Sequence, residues 1–418
     1  MASSRPEAPD SPVSAATAPV VAVLDARSAA AWQRVGGIPL VTRLVRSLEL
    51  AGVDRIRVVC APAQLPAEPG ARQPRTRIEV LEAPAGGPLP ARAGECAEEV
   101  IVIDATLVVD RRLLKCVVDG KAPLVVEPTP AGAGEPGRVR LARLPAAAVA
   151  ALGSGDAIPG AERLDPGTLP TWASEVRGPK PILLMDGSVP GAERTVQDAL
   201  LAATEKHVMD APARWVDPHA ENAIVRRLVD TPVTPNHVTF FSLGIGLAAA
   251  AALYLGWWAL ALPVMFLVGW LDGVDGKLAR LRLQYSRIGE SESLFDFTYE
   301  NAWWLALTLH FAGSGQGAVA GWLGVVWLAA NLVDEVAYTV AGDWVGVSLD
   351  LLTPQDGAFR LIAGRRNIYV YMLAVAVLAG SMWAGFVACS LWAAITGGVH
   401  LARLFLASRG VGVPEPVR

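Results

Sequence analysis

An open α/β domain in the cytoplasm followed by an all-α membrane domain of six transmembrane helices is the fold class that this 418-residue sequence predicts, on three observations. Nearly all long apolar runs lie after residue 236, while Pro, Gly and charge crowd the first two hundred residues. Short β-rich runs alternate with helical stretches between Val20 and about Pro145. Basic residues in the apolar half collect on alternate turns. Hydrophobic residues make up 52% and charged ones 18%, and this average conceals two parts suited to two different solvents.

The elements follow in chain order. Residues 1–18, within MASSRPEAPDSPVSAATAP, contain no apolar run and read as a disordered tail rather than a signal peptide, which leaves the N-terminal part in the cytoplasm. Residues 19–200 carry VVAVLD, PLVTRLVRSLELAG, IRVVCA, EEVIVID, RRLLKCVV and PLVVEP. Such alternation of strand and helix argues for an open sheet with parallel strands. PAEPGARQPRT and TPAGAGEPGR are turn-rich and read as loops. Residues 201–233, ending in ENAIVRRLVDTPV, form an amphipathic juxtamembrane connector. The membrane domain, 234–407, holds six apolar stretches at roughly 237–256, 257–271, 294–312, 318–341, 368–384 and 386–407. Each approaches the ~20 residues of a spanning helix, the second only by including an acidic stretch. Residues 408–418 are a C-terminal tail.

Charge gives these helices a direction. The turns YLGWW, FAGSGQG and GSMWAG contain no Lys or Arg, whereas the other side collects Arg226, Arg227, Lys277, Arg280, Arg282, Arg287, Arg360, Arg365, Arg366, Arg403 and Arg409. That asymmetry places both termini and the acidic residues on the cytoplasmic side of a multi-pass inner-membrane protein. A net charge of −4 without a basic stripe argues against a nucleic-acid partner. Cys60, Cys96, Cys116 and Cys389 lack metal-binding spacing and read as free thiols.

The chemistry is concentrated where the second apolar stretch ends. Asp272 and Asp275 are three apart and share a helix face, and Glu292, Asp296 and Glu300 recur every four residues on the next helix. A charge at the bilayer centre costs about 2.5–3.5 kcal/mol, and two facing acidic arrays repel unless cations lie between them. Mg²⁺ or Mn²⁺ suits hard carboxylate oxygens, and a two-metal site stabilises both the attacking and the leaving oxygen of a diphosphate. Gly273 and Gly276 are expected to leave room for a bulky ligand beside the carboxylates.

Asp272-x2-Asp275-Gly276-x2-Ala279-Arg280-x8-Gly289 resembles the signature of the CDP-alcohol phosphotransferases, membrane enzymes with six transmembrane helices. That family continues with x3-Asp-x3-Asp, where this sequence has Ser293 and Phe297. A linker one residue shorter puts Glu292 and Asp296 in the third and fourth acidic roles, the preferred register, with Trp303 and Trp304 following as in some relatives; an insertion of three residues would use Asp296 and Glu300. Thr234-Pro235-Asn236-x2-Thr239 resembles the family's opening of the first membrane helix, and Thr234 and Pro235 also suit a helix cap and first turn. His237 reads as interfacial.

The resemblance implies transfer of a phosphoalcohol or phosphatidyl group from a CDP-alcohol to a hydroxyl acceptor, either a polar alcohol phosphate or a lipid, with release of CMP. Asp272, Asp275, Glu292 and Asp296 would hold two Mg²⁺ or Mn²⁺ ions, with Asp296 as general base. Asn236, Thr239, Gly276 and Ala279 would border the nucleotide, and Arg280 would support the helix end or a phosphate. Arg365 and Arg366 read either as membrane-interface anchors or as a substrate phosphate patch. Asp334, Glu335 and Asp343 receive no role. Membrane lipids and a second copy, as a homodimer, complete the implied partners.

The N-terminal domain resembles a nucleotidyltransferase at Gly36-Gly37-Ile38-Pro39-Leu40 and the helix after it, but LDARSAAAWQR lacks the glycine and lysine of a phosphate loop. Asp104 would be the metal-binding acid of such a fold. The whole layout resembles the fusions of inositol-phosphate cytidylyltransferase with di-myo-inositol-phosphate phosphate synthase, here with a degenerate first half. The alternatives are a bifunctional enzyme, a non-catalytic membrane pseudoenzyme and an ion-coupled transporter.

Overall fold

A computed structural model describes residues 20–62, 76–85, 88–95, 97–127, 139–149, 158, 160–286 and 292–413. The expected N-terminal tail, Cys96 and Gly289 lie outside the described residues, as do the side chains of Glu292 and Ser293. The chain divides into two units: residues 1–171 with 180–200, and residues 172–179 with 201–418.

The first unit is built on a seven-stranded sheet. Its strands are β1 (Val21–Asp25), β2 (Arg55–Cys60), β3 (Arg77–Glu82), β4 (Glu99–Asp104), β5 (Leu124–Val126), β6 (Leu141–Pro145) and β7 (Glu162–Leu164), in the order β7-β5-β6-β4-β1-β2-β3. Alternate side chains of one strand point to opposite faces, so both faces of β1 need cover. Ala22 and Leu24 join a core with Leu44 and Leu48 of α1 (Leu40–Leu50) and Leu113 and Val117 of α2 (Arg111–Asp119), while Val21 and Val23 join a second core with Leu89 and Ala93. Cover on both sides is why VVAVLD and EEVIVID read as nearly unbroken apolar runs. The expected parallel pairing holds for β1, β2, β3 and β4, but β6 runs antiparallel to both β4 and β5. Arg143 makes β6 hard to recognise in sequence: it is buried, with its charge met by Glu99 and by the Val117 and Val118 carbonyls.

The second unit is helical. After α3 (Glu193–Ala203), which crosses the division at residue 200, come α4 (Ala211–Trp215), α5 (Asp217–Leu228), α6 (Pro235–Tyr254), α7 (Trp258–Leu281), α8 (Glu292–Phe311), α9 (Gly317–Val345), α10 (Pro354–Arg360), α11 (Arg366–Leu378) and α12 (Met382–Ser408). Thr234 caps α6 by accepting from the His237 amide at 3.3 Å, and His237 Nδ1 accepts the Thr234 amide in return. The core of the bundle is aromatic: Trp304 stacks on Trp327 at 4.6 Å between centroids, and Trp303 donates to the Gly246 carbonyl at 2.7 Å. Leu305, Trp322, Val325 and Leu328 point outward instead, as a surface facing hydrocarbon would.

Among the described residues, four stretches are long and apolar enough to cross a membrane: Pro235–Tyr254, Trp258–Leu281, Leu294–Val345 and Met382–Ser408. This differs from the count of six. The third stretch joins α8 and α9 through a turn in which Ser314 and Gly315 leave helical geometry, Gly315 at φ +87°. At 13 residues α11 is shorter than the ~20 a perpendicular span needs.

Candidate active site

The second unit contains a cavity of about 860 Å³ lined by residues of α4, α5 and α7 to α11. Asp272, Gly276 and Arg280 reach it from α7, Asp296 and Glu300 from α8, and Arg365 and Arg366 from the start of α11. Helical periodicity explains the grouping: Asp272, Gly276 and Arg280 are four apart, as are Asp296 and Glu300.

Arg366 sits at the centre of the acids. Its guanidinium pairs with Asp272 and lies 3.4 Å from Asp296 and 3.3 Å from Glu300, and it donates to the Tyr299 hydroxyl, which in turn donates to Asp296 at 2.6 Å. Three carboxylates from two helices thus share one internal cation. Among the described residues, no group of three or more His, Cys, Asp or Glu side chains has metal-holding geometry. The side chain of Glu292 lies outside the described residues.

Asp275 is buried and absent from the cavity lining. Thr239 of α6 donates to it at 2.6 Å, so this threonine, three residues after Asn236, holds the acid. Asn236 accepts from Ser286 at 2.8 Å, and neither Asn236, Thr239 nor Ala279 lines the cavity. Gly276 faces the Arg280 guanidinium, which lies 3.2 Å from where a Cβ would stand.

Gly273 lines the cavity, but the space of its missing Cβ is taken up within the protein. A Cβ there would collide with the carboxylate of Glu221, which α5 inserts against the helix. Glu221 pairs with Lys277 at 2.9 Å, and Lys277, only 4% exposed, also donates to Asn222 at 2.7 Å. Burial pushes the Glu221 carboxyl up, and Lys277 pulls it back only in part. Trp270 donates to Asp217 at 3.1 Å, and Arg282 donates to the carbonyls of Leu228, Val229, Thr231 and Val233 at the end of α5. The connector is therefore bound into the site by buried polar contacts. Lys277 was legible only as a basic residue of the membrane interface, and no motif announced Glu221.

A second basic group lines the same cavity: Arg177, Lys206, Arg360 and Arg365. Burial lowers the pKa of Arg360, and the neighbouring Arg365 adds to this. For Arg365 burial is again the largest influence and acts in the same sense, but Asp334, Tyr338 and Glu335 together outweigh it and hold the guanidinium above its ordinary value. Asp334, which the sequence left without a role, pairs with both Arg365 and His400.

In the first unit, Asp104 accepts from the Thr106 amide at 3.0 Å and hydroxyl at 2.7 Å, and Arg140 lies 3.0 Å from its other oxygen. Arg140 also pairs with Asp186 at 2.5 Å. After β1, Arg27 folds back on Asp25 at 2.8 Å, and Trp32 donates to the Ala26 carbonyl at 2.9 Å.

The comparisons with known proteins bear on the second unit first. Residues 232–399 match the CDP-alcohol phosphatidyltransferase family model. The chain is 32% identical over 189 residues to a bifunctional IPC transferase and DIPP synthase from Rubrobacter xylanophilus, covering 44% of this chain and 39% of that protein. It is 35% identical over 101 residues to the inner membrane protein YnjF of Escherichia coli, covering 23% of this chain and 47% of that one. The chain thus spans less than half the length of the curated relatives it matches. The acids Asp272, Asp296 and Glu300 and most of the membrane-length apolar stretches fall inside the region, residues 232–399, that matches the CDP-alcohol phosphatidyltransferase family model.

Proposed function

We propose that this domain transfers a phosphoalcohol or phosphatidyl group from a CDP-alcohol to a hydroxyl acceptor and releases CMP. One observation carries the reading: Asp272, Asp296 and Glu300, from two apolar helices, converge on one cavity that also presents Arg360 and Arg365. Carboxylates in such helices are costly and mark function.

The donor set suits divalent metal by its chemistry, although its side chains are drawn to Arg366 rather than gathered for an ion. Its oxygens are hard ligands, and the acids already share a cation in the Arg366 guanidinium. Asp272, Asp275, Asp296 and either Glu292 or Glu300 would hold two Mg²⁺ or Mn²⁺ ions. The convergence of Glu300 on Arg366 supports the register in which Asp296 and Glu300 are the third and fourth acids. When bound, the metal supplies charge neutralisation for the diphosphate and for departing CMP.

The remaining chemistry belongs to the chain's own groups. Asp296 accepts the proton of the acceptor hydroxyl, whose oxygen bonds to the β-phosphorus as the bond from that phosphorus to the CMP oxygen breaks. Tyr299 orients Asp296 through their hydrogen bond, and Thr239 fixes Asp275. Arg365 and Arg360 take phosphate oxygens of donor or acceptor. Gly276 and Arg280, which line the cavity, border the nucleotide, and Asn236 and Ala279 stand outside its lining.

We read α8 and α9 as separate spans and α11 as a short sixth, with the acids and the first unit on the cytoplasmic side and two copies forming a dimer. The name of the Rubrobacter relative, a bifunctional IPC transferase and DIPP synthase, supports an inositol-phosphate-like phosphodiester product. The first unit is read as degenerate, because Arg140 joins Asp104 to Asp186 and Arg27 and Trp32 fill the turn after β1. The test is CMP release by the full chain in nanodiscs with Mg²⁺ or Mn²⁺, offering CDP-diacylglycerol and CDP-inositol with alcohol and alcohol-phosphate acceptors. Release that requires Asp272 supports transfer; no release with any donor refutes it.

A further inference from the structure

Asp334 on α9 and His400 on α12 are buried in largely apolar helices, and neither lines the cavity, although Glu335 beside Asp334 does. Their contacts lead there nonetheless. One oxygen of Asp334 pairs with His400 Nδ1, and the other lies 3.4 Å from Nη1 of Arg365, which does line the cavity. The rings of Tyr338 and Phe359 meet the imidazole edge-on at 5.2 and 5.4 Å, and the Arg365 guanidinium lies 4.5 Å from the centre of the Tyr338 ring. Tyr338 thus touches both ends of the relay, and three separate helices meet at one carboxylate.

We infer that Asp334 and His400 are positioning residues, which hold Arg365 in the orientation that binds phosphoryl oxygens. An imidazole with its proton on Nδ1 donates to one Asp334 oxygen and so directs the other at Arg365. Asp334 fixes one edge of the guanidinium, while buried Nε has no hydrogen-bond partner among the described residues. A planar guanidinium held on one side presents its remaining donors in a fixed fork suited to an oxyanion. A merely structural role would need no cavity-lining member, and isosteric apolar replacements would serve it. The inference rests on the transfer reading only for the identity of the anion.

The experiment uses the full chain in nanodiscs with inorganic pyrophosphate as probe. Calorimetry without divalent ions reads anion binding, and CMP release from the CDP-alcohols above, with Mg²⁺, reads transfer. Arg365→Gln, Asp334→Asn and His400→Leu should each weaken pyrophosphate binding about tenfold or more, the size of one charge-assisted hydrogen bond. His400→Asn, whose amide nitrogen takes the place of Nδ1, should stay within about threefold of wild type. In transfer, KM should rise more than kcat falls. Asp334→Asn keeps the side-chain shape and decides the matter should His400→Leu fail to fold. The inference is overturned by wild-type affinity in Asp334→Asn and His400→Leu, by His400→Asn binding no better than His400→Leu, or by wild type failing to bind pyrophosphate. Absence of CMP release with this pattern of binding intact would refute the transfer reading and leave the positioning role standing.

Discussion

The backbone of Gly273 on α7 faces the carboxylate of Glu221 on α5 with no space for a Cβ between them. One position before Gly273 stands Asp272, and four after it stands the buried Lys277 that pairs with Glu221. The connector and the acidic helix are therefore fitted together where the acids begin.

Gly273→Ala should destabilise the protein by about 1–3 kcal/mol, the usual cost of forcing atoms into a filled site. Thermal unfolding in detergent checks this. Since the new methyl and the Glu221 carboxylate compete for one space, Glu221→Ala should relieve part of the loss, giving clearly non-additive effects in the double variant. Additive effects would mean that the two residues do not share the site.

Asp272→Asn and Asp275→Asn should each abolish CMP release and weaken Mn²⁺ binding while the protein remains folded, and chelation with EDTA should stop release in wild type. Each substitution removes one charged ligand and keeps its shape. Electron paramagnetic resonance of bound Mn²⁺ gives the affinity apart from turnover. Unchanged Mn²⁺ affinity in both variants would remove the metal from the mechanism.

Arg366 pairs with Asp272, Asp296 and Glu300, the acids that would hold divalent ions in the proposed mechanism, and would compete with those ions for them. Arg366→Gln should therefore tighten Mn²⁺ binding about tenfold, while lowering the melting temperature of the metal-free protein, whose acids lose their counter-ion. Glu300→Gln should weaken Mn²⁺ binding and lower turnover. If Glu300→Gln is fully active and Glu292→Gln is dead, the acids follow the register preferred from the sequence.

The first unit should release no pyrophosphate from CTP and an alcohol phosphate, and Asp104→Asn in the full chain should leave CMP release unchanged. Arg140 also gives a pH dependence. Burial would raise the Asp186 carboxyl, but Arg140 and Ser188 hold it below its ordinary 3.8. A depressed acid contributes stability that is complete above the unfolded pKa and is lost as pH falls through the folded one. Acid unfolding should accordingly set in below about pH 4 in wild type, and Arg140→Ala should flatten that limb. A limb of unchanged steepness would show that the pair contributes nothing to acid stability.

The division into two parts and the membrane-length helices were legible because each is a local pattern. Thr234 and Pro235 open α6 by capping, and VVAVLD is apolar on both faces because both sides of its strand are covered, whereas Asp275, expected on the face of Asp272, is buried against Thr239 outside the cavity lining. Periodicity is read over a turn or two of chain, and the family signature lies within one such stretch. It could not say which acids meet, because Ser293 and Phe297 break the signature where the next helix begins.

What tertiary structure alone decided are the pairings across long separations. Arg366 stands 94 residues from Asp272, and His400 stands 66 from Asp334. Neither spacing leaves a repeat in the sequence, since each contact depends on how whole helices pack. The same holds for Glu221 in the space left by Gly273 and for Arg140 between Asp104 and Asp186. A buried charge must find a partner, and burial dictates that need from the sequence onward; which partner it finds is settled only when the helices and strands close around it.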